Sequence, residues 1–288
     1  MTRETYIAKT KAFYTFRIGS FNCTAISDGH HNYWLGDFFA NAPTEQLNSA
    51  LDPAEVSSQT ITTPYTCLYV NNGKNRVLVD VGAGNVLPTA GKLLRNMRAA
   101  GLSPDDVDTV IITHAHPDHI GGMVDEQGHL IFPNAAYYIW QEEHDYWFSD
   151  IVCGQAPEFF INLARKQLRA IRDRLIFINS EKEIHAGIQV VATPGHTPGH
   201  IALAIMSGKD RLLHVSDVAL SPLHLKHPTW VPIFDIEPEK AAQSKQHIFD
   251  RAARENSLVF AHHFPPFPNL GHVVKRADGW LWQPINTF

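Results

Sequence analysis

The chain predicts an α/β fold built from two sheets, each with helices on its outer side, and three observations carry that expectation. Short runs rich in β-branched and aromatic residues, bounded by glycine, proline and asparagine, recur along the 288 residues. Segments with apolar residues at helical spacing separate those runs. Their order, strands then helix, strand and helix, followed by strands, helix and strand, gives two halves of similar plan. With no repeat, low-complexity segment or linker between them, one domain over residues 1–288 is expected.

Taken in order, FYTFRI and FNCTAIS flank Gly19-Ser20, and TCLYV and RVLVDV flank the polar turn Asn71-Asn72-Gly73-Lys74-Asn75, so the first third reads as hairpins. Between Pro88 and Gly101 the positions Ala90, Leu93, Leu94, Met97 and Ala100 recur at helical spacing, with Gly101 as the stop. Ser103-Pro104-Asp105-Asp106 supplies a cap and a first-turn proline ahead of VDTVIIT, a buried-type strand. From Pro157 to Leu175, the residues Phe160, Ala164, Leu168, Ile171 and Leu175 share one helical face, read as core packing, with lysine and arginine opposite. LIFIN, IQVVAT, HIALAIM and RLLHVS then read as strands of a second sheet, the last two joined at Gly208-Lys209-Asp210. A helix from about Glu239 to Arg254 and the strand LVFA lead into His262 and His263.

Charge and cysteine usage narrow the classes of partner. The 24 basic and 29 acidic side chains are scattered, and the net charge of -5 includes no basic block and no acidic tail, so neither nucleic acid nor an anionic membrane is an expected partner. No apolar stretch is long enough to span a bilayer, and the start MTRETYIAKTKAFYTF lacks the apolar run of a signal peptide. Cys23, Cys67 and Cys153 are far apart and odd in number, which fits the reduced thiols of a cytoplasmic protein. Histidine stands out at 17 residues, and its side chain is the commonest transition-metal ligand.

The spacing of those histidines carries the chemistry. His114-Ala115-His116-Pro117-Asp118-His119 places four donor side chains at the end of a predicted strand. A strand sends His114 and His116 to one side, the turn around Pro117 swings Asp118 and His119 back, and Gly121 and Gly122 leave room for close backbone approach. Imidazole and carboxylate without thiolate suit zinc, iron, manganese or cobalt in a site open to substrate. Thr193-Pro194-Gly195-His196-Thr197-Pro198-Gly199-His200 is a loop between two strands with His196 at its tip. Asp217 follows RLLHVS, an odd choice for packing alone, and His262-His263 ends the last strand.

In this order the motifs resemble the metallo-β-lactamase superfamily, and the likeness runs from LVDVGAG at Leu78 through His263. The resemblance implies a four-layer αββα sandwich with the site along one edge. It implies that His114, His116 and His196 hold one divalent ion, that Asp118, His119 and His263 hold the other, and that Asp217 bridges both, with zinc the first candidate metal. Asp80 would orient a ligand histidine, and His200 would serve the loop itself by donating to a backbone carbonyl. His262 competes with His263 for the last ligand position; His263 is favoured because it directly precedes Phe264-Pro265-Pro266-Phe267-Pro268.

Departures narrow the branch. Asp217 stands where zinc-thiolate β-lactamases carry cysteine, and residues 264–288 are too few for a glutathione-binding or flavodoxin domain. No basic run suggests a tRNA-processing role. The branch that remains resembles quorum-quenching lactonases and methyl-parathion-type hydrolases. The better-studied lactonases place tyrosine three residues after the bridging aspartate, where this chain has Leu220, so that role is absent or taken by another residue.

The remaining candidates are substrate contacts. The aromatic segment around Trp34 and Phe38 is expected as a loop over the metals, either walling an apolar substrate or serving as a homodimer contact or plain core. Leu220 and His224 follow Asp217 closely and start near the site. His129, His144 and His185 are expected at the solvated surface. Two ions sharing Asp217 would share a water acidic enough to give hydroxide near neutral pH, with Asp118 steering the nucleophile and moving its proton. The expected reaction is hydrolysis of an ester-like bond in a small molecule, a lactone of the acyl-homoserine-lactone type first. A phosphotriesterase or aryl esterase on the same metal pair is the alternative, and a single-iron sulfur dioxygenase is the alternative from another class.

Overall fold

A computed structural model describes residues 12–286. The stretch 1–11, which opens the segment read above for a signal peptide, lies outside the described residues. The first sheet has seven strands side by side in chain order: β1 (Phe13–Ile18), β2 (Phe21–Trp34), β3 (Thr60–Asn71), β4 (Arg76–Val79), β5 (Thr109–Ile112), β6 (Ala136–Trp140) and β7 (Leu175–Ile178). β1 to β4 pair antiparallel, and β4 to β7 pair parallel. The second sheet holds β8 (Glu183–His185), β9 (Ile188–Ala192), β10 (Ile201–Ser207), β11 (Asp210–His214), β12 (Leu258–Phe260), β13 (Leu270–Arg276) and β14 (Gly279–Pro284). Only its β11–β12 pair is parallel. The helices are α1 (Leu35–Phe38), α2 (Thr44–Ala50), α3 (Pro53–Ser58), α4 (Leu93–Ala99), α5 (Pro117–Ile120), α6 (Gln141–Phe148), α7 (Glu158–Ala170), α8 (Pro222–Lys226) and α9 (Pro238–Glu255).

The alternation of side chains along each strand sorts the core into layers. Val77, Val79 and Ile111 of the first sheet face Val190, Leu203, Ile205 and Leu212 of the second. Leu78, Val110 and Ile112 turn the other way, onto Leu93 and Met97 of α4 and Ile161, Ala164 and Leu168 of α7. Ala202, Ala204 and Leu213 point out from the second sheet onto Ile248, Phe249 and Ala252 of α9. Helices, sheet, sheet and helices therefore stack as the expected αββα sandwich. Each fully buried valine or leucine contributes about 1.5–3 kcal/mol, so a one-residue slip that reversed these faces is strongly disfavoured.

Three local expectations change. LIFI is not part of the second sheet: β7 lies parallel to β6, a strand whose AYYIW run was not singled out, and closes the first sheet. The helix expected from Pro88 begins only at Leu93, because Gly91 takes a left-handed backbone (φ 72) and abuts the Gly84 carbonyl. The segment read as an aromatic loop from Asp28 is strand as far as Trp34, paired along Thr60–Tyr65, before α1 begins. Its polar Gly-His-His-Asn run obscured the β pattern, and pairing with Thr60, Ile61, Thr62 and Thr63 overrides it.

The register shift between Ser27 and Gly29 makes Asp28 the extra residue of a bulge. Its buried carboxylate accepts from the amides of Ala83 (2.8 Å), Gly91 (3.2 Å) and Leu93 (2.8 Å), fixing the loop after β4 and the first turn of α4. Burial pushes that carboxyl up to about 6 against the pull of the three amides. Asp28→Ala should lower stability by about 3 kcal/mol, since three amides lose their acceptor. A denaturant midpoint that barely moves would show that the amides find other partners.

Candidate metal centre

The donor residues all leave strand ends at one edge of the sandwich. Asp80 follows β4, His114 and His116 follow β5, and α5 carries Asp118 and His119. His196 and His200 sit in the β9–β10 loop, Asp217 in the single turn Ser216–Val218 after β11, and His262 and His263 after β12. Asp80 (φ 58) and Ser216 (φ 45) hold left-handed backbone, which costs a non-glycine residue about 1–3 kcal/mol and marks sites the surroundings over-determine. In return, Asp80 accepts at 2.8 Å from the Thr113 amide, from Thr113 Oγ1 and from His119 Nδ1.

Outer hydrogen bonds set which nitrogen each ring presents. His119 Nδ1 donates to Asp80, His196 Nδ1 to Asp235 (2.8 Å), His263 Nδ1 to the Pro64 carbonyl (3.2 Å) and His114 Nδ1 to Thr113 Oγ1 (3.2 Å). Each of these four rings is left with an Nε2 lone pair turned inward. Those nitrogens surround Asp217: His263 at 3.1 Å, His119 at 3.3 Å, His196 at 3.4 Å and His114 at 3.7 Å. His116 joins through Nδ1, 2.9 Å from His196 Nε2, and Asp118 Oδ2 lies 3.5 Å from His263 Nε2 and 3.7 Å from His119 Nε2. A tetrahedron with bonds of about 2.0–2.1 Å has edges of about 3.3–3.4 Å, so these spacings are those of donors around shared cations. Buried His114 Nε2, His119 Nε2 and Asp217 Oδ1 make no hydrogen bond, which is costly unless a cation completes them.

The donors fall into overlapping groups: His114, His116 and His196; His114, His119 and Asp217; and Asp118, His119, His262 and His263. Within the last, His263 turns Nε2 to both carboxylates, whereas His262 lies beneath, its ring 4.2 Å from that of His119 and both its nitrogens without hydrogen bonds. Burial, with neighbouring histidines adding to it, holds the imidazoles of His114 and His116 well below the ordinary range, so both are neutral donors. Burial acts the same way on His119, but the carboxylates of Asp217, Asp80 and Asp118 prevail and raise it. Burial opposes ionisation of Asp217 too, yet His263 and His119 hold it well below the usual carboxylate range.

His200 donates through Nδ1 to Thr193 and accepts the Asp217 amide at Nε2 (3.2 Å), so both its nitrogens are committed to the loop. Two buried carboxylates were not found by sequence reasoning. Asp235 fixes His196, and Glu143 binds the Ala115 amide and Trp147 Nε1 through one oxygen, Thr197 Oγ1 and the Gly199 amide through the other. Replacing Asp235 by alanine should weaken metal retention about 10–100-fold, measured by competition with a chelator. An unchanged affinity would mean that His196 needs no orienting carboxylate.

The cluster opens into a small cleft of about 30 Å³ lined by Tyr33, Phe38, Phe160, Leu220 and Phe234 together with His116, Asp118, His196, Asp217 and His263. Phe38 and Leu220 thus face it as expected. Trp34 does not: it is 63% exposed at the last paired position of β2 and outside the lining. His224 is buried behind the wall, its Nε2 3.0 Å from the Phe38 carbonyl. Phe160, assigned above to the core, packs partly buried against it and also meets the His116 ring edge-on at 5.5 Å, while Ile161 and Gln167 join the expected Ala164 and Leu168 on the buried face of α7. Tyr33 and Phe234 had no periodic signal. His129 is exposed as expected, but His144 packs on Phe148, and His185 meets Thr109 Oγ1 at 2.9 Å.

Known proteins resemble this chain in fold and sequence. A structure of AidC, described as a dizinc quorum-quenching lactonase in complex with N-hexanoyl-L-homoserine as product, superposes with a TM-score of 0.90 and 29% identity, covering 96% of this chain and 98% of that one. The hydrolase AbOPH of the beta-lactamase superfamily gives 0.88 and 26%, covering 97% and 99%. Among curated sequences, an N-acyl homoserine lactonase of a Bacillus species is 25% identical over 81% of this chain and 89% of its own length. The Metallo-beta-lactamase superfamily model matches residues 61–270, which span every donor described above, and the chain belongs to that superfamily.

Proposed function

We propose that the protein is a dinuclear metal-dependent hydrolase that opens lactones of the acyl-homoserine-lactone type. The observation that carries this reading is the set of four imidazole Nε2 atoms, each oriented by an outer hydrogen bond, converging on Asp217. His114, His116 and His196 hold one ion, Asp118, His119 and His263 the other, and Asp217 is shared, with zinc the first metal to test and iron, manganese or cobalt compatible with the same donors. Bound there, the pair supplies a nucleophile from water at neutral pH and Lewis acidity toward a carbonyl oxygen.

The chain's own contribution is positioning and proton handling. Asp118 lines the cleft and is close enough to the cluster to orient a water and take its proton. Phe38, Phe160, Leu220 and Phe234 border the approach to the cluster and give the apolar part of an acylated substrate a surface to pack on. The similarity to N-acyl homoserine lactonases, and to a structure holding the opened product, favours the lactone over other ester-like substrates. A single-iron oxygenase would leave one donor group idle, whereas here both groups meet at Asp217. We place the protein in the cytoplasm, since Cys23, Cys67 and Cys153 are all unpaired. No described helix is long and apolar enough to cross a membrane.

The test is hydrolysis of a panel of lactones, aryl esters and phosphotriesters by metal-analysed protein, with His116→Ala as control. Lactone opening should be the fastest reaction and should be lost in the control. Faster phosphotriester turnover would transfer the assignment to that class, and inactivity throughout with two metals bound would overturn the substrate reading.

A further inference from the structure

We propose that Tyr33 is a catalytic residue of this cleft, donating a hydrogen bond from its phenol to the leaving oxygen of the substrate, with Tyr65 as its positioning residue. The inference rests on the hydrolytic reading above and deepens it. Of the residues lining the cleft, Phe38, Phe160, Leu220 and Phe234 offer no donor, and His116, Asp118, His196, Asp217 and His263 belong to the cluster. Tyr33 alone brings a polar hydrogen not committed to that cluster.

The local structure holds the phenol in place. Tyr33 lies on β2 opposite Ile61 of β3, and its ring is wedged between Phe38 at 5.0 Å and Phe234 at 5.6 Å. Its hydroxyl meets that of Tyr65 at 2.5 Å, and neither has another hydrogen-bond partner among the described residues. Tyr65 is 1% exposed and packs against the rings of His263 (5.3 Å) and His262 (5.7 Å). Either hydroxyl can donate to the other; in the proposed arrangement Tyr65, the more buried of the two, donates to the Tyr33 oxygen and leaves the Tyr33 proton for the cleft. A hydroxyl that accepts one hydrogen bond becomes a better donor in the next.

In ester or lactone hydrolysis the water oxygen bonds to the carbonyl carbon, and the bond from that carbon to the leaving oxygen breaks with its electron pair on the oxygen. The proton taken from water by Asp118 ends on that leaving oxygen. Tyr33 keeps its own proton throughout and hydrogen-bonds the oxygen while negative charge builds, an effect worth about 10²-fold where the charge is large.

The dependence on leaving group separates this role from a structural one. Tyr33→Phe and Tyr65→Phe would be compared with the unaltered protein on esters of one acyl group whose leaving groups run from p-nitrophenol to a simple alcohol, and on a lactone. Metal content and thermal melting serve as folding controls. For Tyr33→Phe, kcat should fall about 10²-fold on the lactone and alkyl ester and under about 3-fold on the nitrophenyl ester, with KM little changed. Tyr65→Phe should show the same slope with smaller losses, about 10-fold at most, and carries the test if Tyr33→Phe does not fold. A uniform loss across leaving groups, or a loss confined to KM, overturns the role of Tyr33 while leaving hydrolysis intact. An unaltered protein inactive on every ester and lactone overturns the hydrolytic reading and this proposal with it.

Discussion

Asp217→Ala should reduce lactone hydrolysis by at least about 10³-fold and lower the bound metal from roughly two per chain to less than one after dialysis. The size follows from the position of the carboxylate. Four imidazole nitrogens, two from each half of the cluster, lie 3.1 to 3.7 Å from its two oxygens. Losing an orienting group outside a metal site costs about 10–100-fold, and losing a shared donor should exceed that. The anion also offsets the positive charge that bound cations bring into a buried site, and without it the remaining, mostly neutral donors hold a divalent ion far less tightly. Elemental analysis and steady-state kinetics on the same preparation decide the matter. Two metals retained with activity within tenfold of the unaltered chain would remove Asp217 from the bridging position.

The site was legible in the sequence to the extent that its donors follow strands in tight, glycine- and proline-marked turns. His114, His116, Asp118 and His119 share one such turn, and the strand alternation with the bend at Pro117 is enough to bring them together. What was not legible arrives from elements distant in the chain. Asp235 reaches His196 across 39 positions from a segment with no helical or strand periodicity, and Glu143 sits on the short helix α6, where its charge reads as a solvated face. The same limit applies to the cleft. Phe160 sits at the margin of the buried face of α7, where helical periodicity does not separate core from cleft wall, and Tyr33 lies on a strand whose polar flanks read as loop. For the fold, the apolar runs of β4, β5 and β10, bounded by turn residues, were clear. The assignment of LIFI to a sheet depends on a parallel pairing with β6 that no local signal encodes.

Glu143→Ala is the second large effect expected, and it should appear in stability and in metal binding together. The side chain is fully buried and its two oxygens accept four hydrogen bonds, at 2.8 Å from the Ala115 amide, 2.7 Å from Trp147 Nε1, 2.6 Å from Thr197 Oγ1 and 3.1 Å from the Gly199 amide. Ala115 lies between the donors His114 and His116, and Thr197 adjoins His196, so one carboxylate ties together the two loops that carry the first donor group. Burial raises its carboxyl above the usual range even with four donors pulling it down, which shows how completely it is withdrawn from water. Alanine would leave two amides and an indole N–H buried without acceptors, at about 1–3 kcal/mol each before any relaxation, so a total loss of about 3–5 kcal/mol is expected. Glutamine is the sharper probe because it keeps the volume. Its oxygen can still serve Ala115 and Trp147, and Thr197 can rotate to accept from the new amide, but the Gly199 N–H would face another N–H. Glu143→Gln should therefore cost about 1–3 kcal/mol in a denaturant titration and weaken metal retention at the His114, His116 and His196 group. A glutamine variant as stable and as fully metallated as the unaltered chain would show that the loops hold their geometry without this carboxylate.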